Sequence, residues 1–217
     1  MEIDPSALSP ADRYKLLIGC IVPRPIAVVS TVSRDKRFNL APYSFFNGIG
    51  SNPMSLLFCP ANKGDGSEKD SLRNAKPRDE GGTGDFVVNV ATEEQITRIV
   101  AASEPLEYGE SEFELVGLTP VASTIVKAPR VAESPVAFEC VTRGVLRMNE
   151  GVAGGGNVVI GEVVCVHAEA DLLNERLHVD PARLKAVGRM GGVGYSFTRD
   201  LFELPRGRAA LEAELPE

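Results

Sequence analysis

Two short segments of the sequence hold the residues best suited to binding chemistry, and the first is NLAPYSFFN at 39–47. It carries three aromatic residues, Tyr43, Phe45 and Phe46. Pro42 cannot donate to a strand ladder, so backbone groups nearby stay free for a ligand. If the side chains alternate between core and cleft, the cleft side suits a flat heteroaromatic ring. The alternative is a strand that leaves a barrel through a bulge and buries its aromatic residues.

The second segment, GSEKDSLRN at 66–74, predicts a short helix over about 68–75 with Ser67 as its N-cap. On such a helix Ser71 and Asn74 share a face, while Lys69 and the free amides of the first turn can approach an anion. This pattern indicates a phosphate site. A capped, solvated helix end accounts for the same residues without any ligand.

Other familiar motifs do not occur in the sequence. The glycines at 151–161 precede a strand and complete no dinucleotide motif, and neither a phosphate-binding G-x-x-x-x-G-K nor a G-x-S-x-G is present. His167 at the end of an alternating strand predicts a packed or solvated histidine, and His178 a surface one. The four cysteines match no zinc or redox spacing, so we expect reduced thiols and no metal.

Apolar and β-branched runs predict a protein built mainly of strands. A second short helix is expected from Thr92, where Gln95 completes a capping-box pattern. Several antiparallel strands with few helices favour a barrel, because closure removes exposed sheet edges. The predicted strand regions are a hairpin between 26 and 46, then 54–59, 85–92, 124–148 and 157–172.

Length and charge restrict the class of protein. The 217 residues are compatible with a single domain over 1–217. The net charge of −7, from 23 basic and 30 acidic residues, argues against a nucleic-acid partner. No apolar run approaches the roughly 20 residues of a membrane span. The N-terminus lacks the pattern of a signal peptide, so a cytoplasmic location is expected.

Four blocks, in order, resemble the flavin reductase-like family of FMN-binding split barrels associated with flavoprotein oxygenases. They cover about 14–204, nearly the whole chain. The blocks are PRPIAVVST at 23–31, NLAPYSFFN at 39–47, KDSLRN at 69–74 with FVVNV at 86–90, and GRMGGVGYS at 188–196.

The resemblance implies a mainly β fold: a six-stranded antiparallel Greek-key split barrel with a few short α-helices, forming a homodimer with one FMN per subunit. It also implies the residues that contact the cofactor. These are the wall of Ala41, Pro42, Tyr43, Ser44, Phe45, Phe46 and Asn47, the phosphate residues Lys69, Asp70, Ser71 and Asn74, and Thr31, Asn89, Arg189 and Tyr195.

The function implied is an FMN-dependent oxidoreductase that takes hydride from NADH or NADPH and passes it to an acceptor or partner oxygenase. Two alternatives remain: an FMN-holding electron carrier that serves a protein partner, and a non-redox module that binds flavin. The segments 77–84 and 103–114 distinguish the chain from minimal flavin reductases and could restrict access to the flavin.

Overall fold

An antiparallel sheet of seven strands forms the body of the protein. The computed structural model describes residues 1–214, so the last three residues of the expected domain, 215–217, lie outside it. The strands are β1 (Ala27–Val32), β2 (Phe38–Tyr43), β3 (Phe46–Ser51), β4 (Met54–Phe58), β5 (Asp85–Val90), β6 (Pro120–Val121), β7 (Arg130–Val131), β8 (Val136–Arg147), β9 (Asn157–Ala168), β10 (Val187–Arg189) and β11 (Tyr195–Phe197). The helices are α1 (Pro10–Cys20), α2 (Asp70–Ala75), α3 (Ile96–Ala101), α4 (Glu112–Val116) and α5 (Pro181–Leu184), with 3-10 turns at Pro5–Ala7, Arg78–Glu80, Ala170–Leu172 and Gly207–Glu212.

The strand order of the main sheet is β2-β1-β5-β8-β9-β4-β3. Its two edge strands, β2 and β3, follow one another in the chain and are separated only by Ser44 and Phe45. Seven strands are present where six were expected, and within residues 1–214 no ladder joins β2 to β3. The sheet is therefore consistent with a split barrel, but hydrogen bonds do not close it and the count of six is not confirmed.

The apolar run that predicted β1 is continuous because this strand is buried on both faces. All six of its residues are buried. Ala27 and Val29 pack into an inner core with Phe58 and Phe86, whereas Val28 packs into an outer core together with Leu40 and Ile99. Helix α3 covers that outer face, so β1 and β2 are fixed in position from both sides.

Both predicted helix caps are wrong, because the residues expected to cap the helices form other contacts instead. Ser67 binds Asp65 through its backbone N–H and its hydroxyl, and α2 begins at Asp70 without a side-chain cap. Thr92 forms a bridge with Ala186. The side chain of Gln95 donates to the Glu133 carbonyl, and α3 begins at Ile96.

The predicted strand over 124–148 begins only at Val136. The preceding residues form a loop around Glu139, which is fully buried. Its carboxylate accepts the backbone N–H groups of Thr124, Ile125 and Val126 at 2.7, 2.7 and 3.1 Å. These hydrogen bonds satisfy backbone N–H groups of the loop that would otherwise need a neighbouring strand. The expected hairpin and the strands at 54–59 and 85–92 are confirmed.

None of the helices in the described part of the chain is long and apolar enough to cross a membrane.

We predict that Gly161→Ala lowers the free energy of unfolding by about 1–3 kcal/mol. A Cβ at this position would lie 2.5 and 2.9 Å from ring atoms of Phe86, which is fully buried and cannot move aside freely. Gly144→Ala is the matched control, since no atom lies within 4 Å of its Cβ, and it should change stability by no more than about 0.5 kcal/mol. Urea unfolding followed by circular dichroism measures both, and equal effects would contradict the prediction.

Candidate functional site

Strand β2 has one paired edge and one open edge. It pairs with β1 alone. On the open side the Leu40 N–H donates to the Glu112 carboxylate at 2.8 Å. Alternate residues of an antiparallel strand direct both backbone polar groups to the same side, so Leu40 and Pro42 present theirs to this open edge. Pro42 lacks an N–H, which an edge strand tolerates.

Two clefts follow this open edge and meet at Pro42 and Ser103. Their volumes are about 210 and 220 Å³. The first contains five charged residues and is lined by Ala41, Pro42, Tyr43, Lys63, Lys69, Asp70, Ala102, Ser103, Glu104, Pro105, Leu106 and Glu112. The second contains one charged residue, Arg189, and is lined by Tyr14, Ile26, Pro42, Ser44, Ile96, Ile99, Val100, Ser103, Arg189 and Tyr195.

The three aromatic residues of the first predicted segment lie in different environments. Tyr43 is buried with its ring 5.2 Å from that of Phe58, and burial raises the pKa of its phenol. Phe46 packs against the same inner core. Phe45 instead lies 6.4 Å from the ring of Tyr14. They therefore do not form one flat wall, and the cleft side of β2 is made chiefly by its backbone.

Lys69 supplies an uncompensated positive charge at one end of the clefts. Within residues 1–214 it forms no ion pair, whereas its neighbour Lys63 is paired with Asp70 at 3.0 Å. The residue is exposed as a whole, but its ammonium end is crowded by surrounding atoms. This desolvation, together with the charge of Lys63, lowers the pKa of Lys69. A bound anion would relieve both effects.

Arg24 fixes the hydroxyl group at the other end of β2. Its Nε donates to Ser44 Oγ at 3.2 Å, and its remaining donors bind the carbonyls of Ile18, Ile21 and Met190. Arg24 is 4 % exposed, so these bonds hold a buried guanidinium. The sequence pattern around Arg24 gives no sign of this role, because only the folded chain shows that the arginine turns inward.

Arg189 and Tyr195 pair across the small β10–β11 hairpin beside the second cleft. The guanidinium lies 4.4 Å from the tyrosine ring centroid. It also donates to the carbonyls of Gly194 and Gly192 at 3.0 and 2.6 Å. No acidic group neutralises it within the described range, so this end of the site is also positive.

Glu112 is a buried acid in the wall of the first cleft that the sequence analysis also did not single out. It is 7 % exposed. Burial raises the pKa of its carboxyl, and the nearby Asp70 acts in the same direction, while the Leu40 N–H opposes them. Its segment, 103–114, was noted only as a possible cover for the ring.

Several predicted residues are buried in a polar network and line neither cleft. Ser71 Oγ accepts from Asn39 Nδ2 at 3.0 Å, and Asn74 Nδ2 donates to Thr31 Oγ1 at 3.1 Å. Asn89 links β5 to Val28 O, Ser30 and Val131 N. The predicted residues divide into those lining a cleft, namely Ala41, Pro42, Tyr43, Ser44, Lys69, Asp70, Arg189 and Tyr195, and those lining neither, namely Thr31, Phe45, Phe46, Asn47, Ser71, Asn74 and Asn89. Contact of either group with a cofactor stays a prediction.

Away from the clefts, Glu139, Cys165 and His167 bring three groups with metal-ligand chemistry within 4.8 Å of one another. His167 Nε2 lies 2.6 Å from Glu139 Oε1 and 3.5 Å from Cys165 Sγ. The Glu139 carboxylate already accepts three backbone N–H groups, so the cluster is built as a hydrogen-bonded support for the neighbouring loop. Sequence spacing could not reveal it, because the glutamate comes from the paired strand.

Comparisons with known proteins bear on the family and the fold. The flavin reductase like domain model matches residues 18–187. The structure is similar to nitrilotriacetate monooxygenase component B from Bacillus cereus, with 33% identity, TM-score 0.86, and coverage of 94% of this chain and 98% of that one. It is also similar to the 2-nitrobenzoate 2-nitroreductase NbaA of Pseudomonas fluorescens, with 29% identity, TM-score 0.82 and coverage of 100% and 99%. A split barrel domain protein from Shewanella frigidimarina, 21% identical with TM-score 0.76 over 95% and 100%, shares the fold.

We predict that the Lys69 amine titrates below the ordinary lysine value of about 10.4. Lys63→Gln should raise this pKa part of the way, since it removes a like charge and leaves Asp70 unpaired. NMR titration of protein with ¹³C-labelled lysine, in which Lys69→Arg identifies the signal, measures the pKa. A value at or above that of an ordinary lysine would show that the ammonium is fully solvated.

Proposed function

Because this chain belongs to the flavin reductase-like family, we propose that it is an FMN-binding oxidoreductase in which NADH or NADPH reduces the flavin. The observation that carries the proposal is the open edge of β2, which has an unpaired cation, Lys69, near one end and an anchored hydroxyl, Ser44, at the other. In this role Lys69 and Ser44 would hold FMN along β2, and the cofactor would accept one proton together with the hydride that oxidation of NAD(P)H to NAD(P)⁺ releases.

The chemistry of the cleft residues fits FMN. A flavin ring needs donors and acceptors along its edge, which the backbone of β2 and Ser44 can provide. Its phosphate needs an uncompensated cation, for which Lys69 is available. Arg189 is placed to favour negative charge at the ring end. A charge-assisted hydrogen bond of this kind contributes about 1.5–3 kcal/mol.

Bound FMN supplies the two-electron chemistry, and the protein's part is to bind, orient and exclude water. Arg24 holds the Ser44 hydroxyl in one orientation. Ile26 and Ile99 form an apolar floor to the second cleft. Tyr43, with its raised pKa, stays protonated and neutral beneath the strand. No catalytic acid–base pair is required of the chain, which agrees with the lack of one in the sequence.

We predict that Lys69→Gln weakens FMN binding at least about tenfold, the equivalent of about 1.4 kcal/mol, and leaves riboflavin binding nearly unchanged. Lys15→Gln, on the exposed face of α1, is the control and should alter neither. FMN affinity should also fall as pH rises through the lowered pKa of Lys69, because the neutral amine no longer attracts phosphate. Fluorescence quenching of each flavin measures the affinities, and equal losses for both would place the phosphate elsewhere.

We predict that anaerobic NADH or NADPH bleaches the bound flavin in stopped-flow absorbance. Ser44→Ala should slow this step at least about tenfold, because the hydroxyl faces the second cleft, whereas His178→Ala at an exposed site should not. Bleaching by dithionite but by neither nicotinamide would favour the electron-carrier alternative. Failure of dithionite-reduced protein to pass electrons to any acceptor would favour a module that only binds flavin.

The final electron acceptor is proposed from the two similar proteins of known activity. Similarity to a monooxygenase component favours delivery of reduced flavin, or of its electrons, to a separate oxygenase. Similarity to a nitroreductase over the whole chain favours a second candidate, in which the protein itself reduces a nitroaromatic compound. Turnover of NAD(P)H that requires 2-nitrobenzoate but no second protein would select the second candidate.

We further propose a homodimer. Ile26 is 7 % exposed and packs in the outer core of its own subunit, so it needs no cover from a partner. One group of exposed apolar residues lies on the neighbouring strands β3, β4 and β9 and includes Ile49, Met54, Val164 and Val166, at 51, 45, 38 and 47 %. A partner covering this surface would remove it from water.

We predict that light scattering at micromolar concentration gives twice the monomer mass. Val164→Glu with Val166→Glu should shift the protein to the monomer, because burying two carboxylates is costly. Leu211→Glu, at a site 85 % exposed in the C-terminal segment, is the control and should leave the dimer intact. A monomeric wild-type protein with flavin bound would refute the proposal.

A further inference from the structure

A larger cavity, of about 540 Å³, lies at the turn of the β1–β2 hairpin, away from both clefts. Four of its nine lining residues are cationic and none is acidic. We call it the basic pocket, and it is lined by Val32, Ser33, Arg34, Lys36, Phe38, Arg78, Gly82, Thr83 and Lys127. Its volume lies within the range of small-molecule sites, about 300–1,000 Å³. In a chain of net charge −7, this concentration of positive charge is a local exception.

Backbone carbonyls, and not acids, orient the two guanidinium groups of the basic pocket. Arg34 donates to Arg78 O at 2.7 Å and to Gly82 O at 3.4 Å. Arg78 donates to Thr83 O at 3.0 Å. These bonds restrict the side chains without pairing either guanidinium with a carboxylate. Guanidinium groups held in this way are suited to phosphate, because each can donate two parallel hydrogen bonds to phosphate oxygens.

One buried acid, Asp85, lies close enough to the basic pocket to offset part of its charge. Burial raises the pKa of its carboxyl, whereas the Ala128 N–H that it accepts at 3.1 Å and the charges of Arg78 and Lys127 lower it. In the described range none of the four cations forms an ion pair. Asp35 adjoins the pocket in sequence but does not line it.

Lys36 is held in a conformation that a lysine rarely adopts. Its φ is +64°, in the left-handed region where glycine and asparagine are favoured. The hairpin turn accounts for this conformation, because the Lys36 N–H donates to Ser33 O and the Ser33 N–H donates to Arg37 O, as in a three-residue loop. Beside it, Val32 and Phe38 pair across the hairpin and give the pocket an apolar wall.

We propose that the basic pocket binds the phosphate groups of a nucleoside phosphate, with the apolar wall of Val32 and Phe38 contacting its ring. The four cations recognise the phosphates, and the wall distinguishes a nucleotide from free phosphate. The assignment does not depend on the flavin site, which lies further along β2.

The test is calorimetric titration of the purified full-length chain with ADP, pyrophosphate and adenosine. ADP should bind more tightly than either of its parts. Lys36→Asn with Lys127→Gln should weaken ADP at least about tenfold. This variant removes two charges whose side chains make no hydrogen bond in the structure, and asparagine relieves the strain at position 36, so loss of folding would not explain the result.

The charge-matched control is Lys63→Gln with Lys69→Gln, which removes two cations from the flavin cleft and should leave ADP affinity within about threefold. Equal weakening by both variants would overturn the proposal, since ADP would then respond to net charge or occupy the cleft. Pyrophosphate binding as tightly as ADP would overturn the nucleoside assignment, and adenosine binding as tightly would overturn the role of the cations.

Discussion

The structure depends on a strand that is paired on one side only. β2 is held by β1 through six residue pairs, and its other edge is left open except where Glu112 accepts the Leu40 N–H. An open edge inside a fold is unfavourable because its polar groups lose water without gaining partners. A bound ring with its own donors and acceptors can supply those partners, which is why the clefts along this edge form the best candidate for the flavin site.

A packed aromatic core supports β2 on one side, and polar groups line the clefts along its open edge. Phe58 and Phe86 pack in the core beneath it, with ring centroids 5.0 Å apart. This packing fixes the position of the strand. The bond from Asn39 to Ser71 ties the first turn of α2 to β2, and the bond from Asn74 to Thr31 ties its last turn to β1. Together they fix the helix and the adjoining Lys69. Residues that line no cleft therefore still determine the position of the Lys69 ammonium group.

Much of this could be predicted from sequence, because burial leaves a strong local pattern. The continuous apolar run of β1 and the proline in β2 both correctly marked the strand and its edge. The helix starts could not be predicted, since the Ser67 side chain binds Asp65 and the backbone of Thr92 pairs with Ala186. The role of Glu139 was also hidden, because its partners at 124–126 lie in a loop that reads locally as a strand. Periodicity in the sequence does not show which partner a residue binds, whether that partner is near in sequence, as Asp65 is, or distant, as Ala186 is.

The central claim is that the open edge of β2 is where the flavin lies, and a crystal structure of the protein soaked with FMN tests it most directly. The account predicts ring density along 41–44 and the phosphate within hydrogen-bond distance of the Lys69 ammonium. Density for the ring elsewhere, with the edge of β2 still open and Lys69 unpaired, would contradict it.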